Sequence, residues 1–283
     1  MLYSYQDCWN YAFSIQKSNL KKDDLQRDLI AICQIPVEKF WFNFHLKLLT
    51  KKNYLNICQK IDKYCQENYP TPYMNRGVGF YQLFFRTERG IFIPQKDTEI
   101  LVEKLLELVD ENWPKLRLRV LDIGTGCGNI AISLAKIKPD WQFVATDINR
   151  KAIKLAKKNA LIHQTKNVKF IFSNLFTGLN FRSRFDIIVS NPPYISQSEY
   201  QQLSPQTKKQ PKNALLAPQK GYHFYRKIFQ KARSFLAEKF LLLVEIGSQL
   251  PEKLLSIMRK RFSDAQVKIF SDLSGRPRIY SNL

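Results

Sequence analysis

The stretch VLDIGTGCGN, residues 120–129, decides the fold. VLDI reads as a strand buried on both faces, and Gly124, Gly126 and Gly128 follow it at once. Missing side chains there let the chain turn sharply and let a ligand come close to the backbone. NIAISLA, from Asn129 onward, carries helical spacing. Strand, Gly-rich turn and helix in that order form the first half of a βαβ unit. Asn129 stands where the dinucleotide fingerprint G-x-G-x-x-G has its third glycine, and no Gly-Lys-Ser/Thr follows, so the loop does not read as a phosphate cradle. The next strand, QFVATD, ends on Asp147, placed to accept hydrogen bonds from two ribose hydroxyls. A nucleoside without phosphates satisfies both features, and S-adenosylmethionine is such a ligand. Asp122 is expected to act indirectly, behind the residues that touch the ligand's amino group, with a structural carboxylate as the alternative, and Cys127 is expected to be a small loop residue, since no basic partner adjoins it.

Outward from this unit, apolar runs and helical stretches keep alternating. VKFIFS (168–173), FDIIVS (185–190) and FLLLVEIG (240–247) read as strands, with helices from Arg150, around Tyr225 and near Leu250. QVKIFSDL and RIYSN, separated by Ser274-Gly275, close the chain as a hairpin whose last strand runs antiparallel. The count is seven strands in a mostly parallel sheet. Before it, Leu25, Leu29 and Ile32, then Phe40, Phe44 and Leu48, fall at helical spacing, interrupted by Pro36 and ended by Pro70 and Pro72. Gly77, Gly79 and Gly90 punctuate the aromatic runs FYQLFF and IFIP, which predicts a β-hairpin. Asp97 or Thr98 then caps a helix to about Asp110, with Glu99 in its first turn. The expected division is a helical domain at 1–72, a hairpin linker at 73–95 and an α/β domain at 96–283.

SNPPY, at the end of FDIIVS, is the strongest chemical signal. Two successive prolines fix φ and donate nothing, so the carbonyls around them point in a set direction. The Asn191 side-chain oxygen and the Pro192 carbonyl can both accept from one NH2 group, with Tyr194 against its planar face. That arrangement suits an sp2 nitrogen. Such a nitrogen is a poor nucleophile, and two acceptors aimed at its protons favour the positive charge that builds as a methyl group transfers.

Composition narrows the setting. The 283 residues suffice for two domains with sizeable cores. Lys and Arg number 45 against 24 Asp and Glu, a net charge of +21 that fits either solvated Lys-rich faces or proximity to RNA or the ribosome. Five cysteines without a C-x-x-C pair predict reduced thiols and no zinc site. MLYSYQDCWNYAFSIQ lacks the order of a secretory signal, and no apolar run reaches membrane-spanning length. A cytoplasmic monomer with no membrane partner and no metal is expected. The scattered His45, His163 and His223 are expected in surface or packing roles.

Together these segments resemble the release factor glutamine methyltransferases, which act on the glutamine of the Gly-Gly-Gln motif of class 1 peptide chain release factors. The likeness runs through IFIPQKDTEILVE (91–103), VLDIGTGCGNIAISLA (120–135), SNPPYIS (190–196), PKNALLAPQKGYHFYRKI (211–228), LLLVEIG (241–247) and DLSGRPRIY (272–280). The start of the first of these helices and the N-A-L-L-A stretch are specific to this group, whereas other methylases share the Gly-rich loop and N-P-P-Y. The resemblance implies an α/β fold, namely a seven-stranded Rossmann-like methyltransferase sheet preceded by a helical bundle that contacts the release factor. It implies S-adenosyl-L-methionine contacts at Gly124, Thr125, Gly126, Cys127, Gly128, Asp147, Asn174, Leu175 and Asn191. It implies substrate-amide contacts at Asn191, Pro192, Pro193 and Tyr194, with Asn191, Pro192 and Tyr194 catalytic. Gln95-Lys96 stand where the family commonly has Arg-Pro, and Asn174 where an Asp near the adenine is more usual.

Two other readings compete. A methyltransferase acting on the exocyclic amine of adenine would use the same N-P-P-Y chemistry and suit the charge, but no aromatic and basic insert for a flipped base is evident. A non-catalytic module would show an eroded Gly loop or N-P-P-Y, and both are intact.

Overall fold

A computed structural model describes residues 1–15, 22–113, 117–247, 251–262, 267–272 and 275–282. The chain divides into two compact units, Met1–Gly77 with Ser204–Lys209, and Val78–Leu203 with Gln210–Leu283. Among the described residues no helix is long and apolar enough to cross a membrane.

The smaller unit is helical. Strand β1 (Leu2–Tyr3) leads into α1 (Tyr5–Ile15), α2 (Lys22–Cys33) and α3 (Val37–Phe42). After these come β2 (Leu49–Thr50), which pairs antiparallel with β1, then α4 (Lys51–Glu67) and α5 (Thr71–Met74). Leu25, Leu29 and Ile32, one face of α2, are buried in a core with Cys8 and Ala12 of α1 and Ile57, Ile61 and Cys65 of α4. Phe40 joins them, but Leu48 is 57% exposed, because α3 stops at Phe42 and helical spacing no longer applies beyond it. Thr50 caps α4 by accepting from the Asn53 N–H, and Asn68 ends it in the left-handed conformation. All five cysteines are free thiols.

The larger unit opens with a hairpin, β3 (Val78–Phe80) and β4 (Leu83–Phe85). Its two turn residues, Tyr81 and Gln82, have φ of 46° and 61°, the primed-turn geometry that matches strand twist. Phe80 and Phe85 are buried in one core with Leu101, Val102 and Leu105 of α6 (Glu99–Asn112), so by packing the hairpin belongs to this unit, whereas the sequence suggested a linker over 73–95. IFIP (91–94) forms no strand.

Then follow β5 (Arg119–Ile123), α7 (Asn129–Ile137), β6 (Gln142–Asp147), α8 (Arg150–Ile162), β7 (Val168–Phe172) and β8 (Phe185–Ser190). The rest is α9 (Gln197–Gln202), α10 (Lys212–Leu215), α11 (His223–Ala232), β9 (Leu236–Glu245), α12 (Pro251–Arg259), β10 (Val267–Ser271) and β11 (Pro277–Asn282). Seven strands form one sheet in the order β10-β11-β9-β8-β5-β6-β7, parallel except for β11, which runs antiparallel to both neighbours. This is the expected α/β sheet with its last strand reversed. Ser274 and Leu250, placed by the sequence at the final turn and the last helix, lie outside the described residues.

Register positions the site. Ile123 pairs with Thr146 on one side and Ser190 on the other, so β5, β6 and β8 end level. The chain leaves β5 toward β6 and returns to β8 on the opposite side, a switch point where open parallel sheets bind ligands.

Candidate active site

Three loops leave that level edge. In the first, the N–H groups of Gly124 and Thr125 both donate to the Thr146 carbonyl at 2.8 Å. A Cβ at Gly124 or Gly126 would meet nothing within 4 Å, whereas at Gly128 it would lie 2.6 Å from Ile132 Cδ1 and 3.2 Å from Ala156 Cβ. Gly124 and Gly126 therefore leave an open floor, and Gly128 lets the loop pack on α7 and α8. Asn159, fully buried on α8, accepts from the Arg86 N–H and donates to the Cys127 carbonyl at 2.9 Å, which fixes the back of the loop.

Two carboxylates sit beside this floor. Asp147 accepts from the Gly126 N–H at 2.9 Å through Oδ2 and from the Asn149 N–H at 2.7 Å through Oδ1, and each oxygen keeps a further lone pair. Asp122 is fully buried; its Oδ2 accepts from the Thr125 hydroxyl at 2.6 Å and its Oδ1 has no partner. Burial pushes Asp122 up to about 7, while the Thr125 hydroxyl and the Ala131 N–H draw it down and Asp147 raises it further. Burial also raises Asp147, against the pull of the Asn149 and Gly126 N–H groups. The buried Cys127 thiol is pushed up to about 12, which keeps it protonated and unsuited to nucleophilic work.

After β7, Leu175 adopts φ 53°, a left-handed conformation that costs a leucine ~1–2 kcal/mol. The Ser173 hydroxyl holds it there by donating to the Leu175 carbonyl at 2.8 Å.

The third loop is Asn191-Pro192-Pro193-Tyr194. The buried Ser190 hydroxyl donates to the Ile123 carbonyl at 2.7 Å and ties this loop to the end of β5. Asn191 Nδ2 donates to Thr98 Oγ1 at 3.0 Å, which leaves Asn191 Oδ1 as the acceptor. Beyond Tyr194, Ile195 pairs with Leu216, and its carbonyl accepts from the Ala217 N–H at 2.8 Å. The N-A-L-L-A stretch is thus a splint for N-P-P-Y.

Asp97, Thr98 and Glu99 each have a separate partner. Asp97 pairs with Arg278 at 2.8 Å, Thr98 receives Asn191, and Glu99 accepts from the Tyr81 N–H at 3.0 Å. Thr98 makes no helix cap; a short 3-10 turn, Lys96–Thr98, precedes α6, and the Thr98 side chain is spent on Asn191 instead. Arg278 also pairs with Asp272 at 2.9 Å. Behind Asn191 lies Glu245, 3% exposed, which burial pushes up to about 7 against the opposing pull of the Thr98 hydroxyl and Arg278.

One cleft is lined by Gly124, Thr125, Gly126, Asp147, Asn174, Leu175, Asn191, Pro192 and Pro193, together with Phe92, Gln95, Thr98, Ile130, Asn213 and Phe224. Cys127, Gly128 and Tyr194, expected with them, do not line it. Cys127 and Gly128 face the packing behind the loop. Tyr194 packs beside the core under β8 and β9, and its hydroxyl lies 3.5 Å from Glu245 Oε1. Sequence reasoning missed Thr98, Asn159, Asn213, Phe224 and Glu245 as parts of the site; all but Asn159 lie in the stretches that carry the family resemblance. The cleft fits S-adenosylmethionine: a side-chain-free floor at Gly124 and Gly126 and spare lone pairs on Asp147; Asp122 does not line it but lies buried behind Thr125, with one oxygen unpartnered.

The model of the methyltransferase small domain matches residues 82–215. The release factor glutamine methyltransferase of Lactococcus lactis subsp. lactis is 36% identical over 242 residues, 85% of this chain and 87% of that protein. The protein of the same name from Fusobacterium nucleatum subsp. nucleatum is 39% identical over 211 residues, 74% of this chain but 58% of that longer relative. Among solved structures, the catalytic domain of hMettl16 in complex with a MAT2A 3'UTR hairpin superposes with a TM-score of 0.55 at 15% identity over 82% of each chain, a likeness of fold alone. With the site's geometry and a relative matched over most of both lengths, the chain belongs to the release factor glutamine methyltransferase family.

Proposed function

We propose that this protein transfers a methyl group from S-adenosylmethionine to the side-chain amide nitrogen of the glutamine in the Gly-Gly-Gln motif of class 1 release factors. The observation that carries it is the Asn191 amide, tied by its nitrogen to Thr98 so that its oxygen is the free acceptor at a cleft floored by Gly124 and Gly126. When bound, S-adenosylmethionine supplies an electrophilic methyl whose leaving group is a neutral thioether. Asn191 Oδ1 and the Pro192 carbonyl accept from the two N–H bonds of the substrate amide. That orients its nitrogen and favours the positive charge it gains in transfer. The nitrogen needs no base beforehand, since its proton is lost after the new N–C bond forms. Asp147 is assigned to the ribose hydroxyls, Leu175 and Asn174 to the adenine, and Asp122 to the cationic end of the cofactor. Tyr194 is assigned to support of the loop from behind rather than to contact with the substrate plane.

The experiment is to incubate the chain with methyl-labelled S-adenosylmethionine and a class 1 release factor and map the label by peptide mass spectrometry. Label on the Gly-Gly-Gln glutamine is expected. A release factor whose glutamine is replaced should stay unlabelled, and label retained there would defeat the proposal.

A further inference from the structure

An amide side chain is nearly symmetric in shape, so packing alone does not decide whether Asn191 shows oxygen or nitrogen to the cleft. The decision is made behind it. Nδ2 donates to Thr98 Oγ1 at 3.0 Å, and Thr98 is 1% exposed. A hydroxyl can donate as well as accept. With its proton turned toward Asn191, the reversed amide would be satisfied, and an NH2 group would face the cleft where the chemistry needs an acceptor.

Glu245 prevents that turn. Its carboxylate lies beside the Thr98 hydroxyl, and an ionised carboxylate can only accept. The other groups facing it are the Tyr194 hydroxyl at 3.5 Å, Arg278 of β11 and Asp97, while the Tyr225 hydroxyl of α11 donates to the Glu245 main-chain carbonyl at 3.0 Å. Glu245 Oε2 is buried and has no hydrogen-bond partner among the described residues, and the pairing of Ser190 with Val244 sets Glu245 level with Asn191, so this oxygen is the spare acceptor near the Thr98 hydroxyl. We propose that Thr98 and Glu245 are positioning residues: Glu245 takes the Thr98 hydroxyl proton, and Thr98 thereby holds Asn191 with its amide oxygen toward the cleft. This inference rests on the role of Asn191 proposed above.

A protonated Glu245 would donate to Thr98, and the Thr98 proton could then swing to Asn191. Burial, with Asp97 acting the same way, pushes Glu245 up to about 7 despite Thr98, Arg278 and Tyr194. Turnover should therefore fall as pH drops through about 7, and the fall should appear in kcat.

The test measures kcat and KM against pH for the full chain with S-adenosylmethionine and a class 1 release factor, and cofactor affinity by calorimetry. Thr98→Val keeps the shape and loses the hydroxyl; kcat should drop about 10- to 100-fold, the size of one lost buried hydrogen bond, with cofactor affinity unchanged. Thr98→Ser should restore most of that loss. Glu245→Gln should lower kcat and flatten the fall below pH 7. Thr98→Val with wild-type kcat overturns the relay, as does Glu245→Gln with the pH dependence intact. Should Thr98→Val lose cofactor binding through misfolding, the Glu245→Gln profile still decides. A wild-type chain that labels no release factor removes the role of Asn191, and the relay with it.

Discussion

The loops that leave β5 and β8 meet in one cleft and are built on opposite principles. The floor after β5 is made by absence: Gly124 and Gly126 have left-handed backbones with open space where a side chain would be, so the ligand surface is backbone. The wall after β8 is made by constraint: two prolines stiffen the chain, and one amide is aimed by a hydroxyl 93 residues earlier. A backbone surface needs only its own loop to be correct. An aimed side chain needs a scaffold drawn from distant segments, here the turn before α6, the end of β9 and β11.

The contrast breaks most sharply at the wall. Asn191→Ala removes one of two preorganised acceptors and should lower kcat by about 10²- to 10³-fold. Steady-state kinetics check this, and near-normal turnover would exclude Asn191 from the chemistry. On the floor side, Asp147→Ala should weaken cofactor binding by about 10- to 100-fold, since a charged acceptor for two hydroxyls is lost. Saturating cofactor should then recover most of the rate, and unchanged calorimetric affinity would reassign Asp147 to a purely structural role.

Within the floor, the glycines should separate. Gly128→Ala places a Cβ 2.6 Å from Ile132 Cδ1 at φ 90° and should destabilise the fold by about 1–3 kcal/mol, roughly 2–4 °C of melting temperature for each kcal/mol. Gly126→Ala meets open space and carries only the strain of a left-handed backbone at φ 57°, so it should cost less stability than Gly128→Ala and act chiefly on cofactor affinity. Equal thermal losses in the two variants would contradict the distinction.

The last effect is read against pH and concerns Asp122, whose carboxyl burial raises to about 7 from an ordinary value of about 4. A carboxyl raised in the folded state contributes stability that is complete below its unfolded value and is lost as pH rises through its folded value. The cofactor-free protein should therefore lose stability between about pH 4 and 7 at this site, and Asp122→Asn should not. The variant's melting temperature relative to wild type should climb across that window and level off above it; a difference independent of pH would count against the assignment. Glu245 imposes a similar slope on both proteins and cancels in the comparison.

Much of the fold was legible because it follows from local pattern. Buried strands alternating with helices dictate a parallel sheet, and the Gly-rich turn and Asp147 fall at strand ends that the register brings level. Leu48 escaped because periodicity does not announce where α3 stops, and the Tyr81-Gln82 turn because neither residue is a usual left-handed one. In the site, side-chain direction was the hidden quantity. Tyr194 was legible as a member of N-P-P-Y, but its turn inward toward Glu245 depends on a strand 51 residues later. Thr98 looked like a helix cap because Ser, Thr and Asp usually are when they precede a helix. Only the folded chain shows Asn191 taking that hydroxyl.

The most direct test of the central claim is the site of transfer. With methyl-labelled S-adenosylmethionine, an intact class 1 release factor and adenine-containing nucleic acid in one mixture, the account predicts label on the side-chain amide of the Gly-Gly-Gln glutamine and none on adenine. Label on the adenine amine, or on the release factor anywhere but that glutamine, would contradict it.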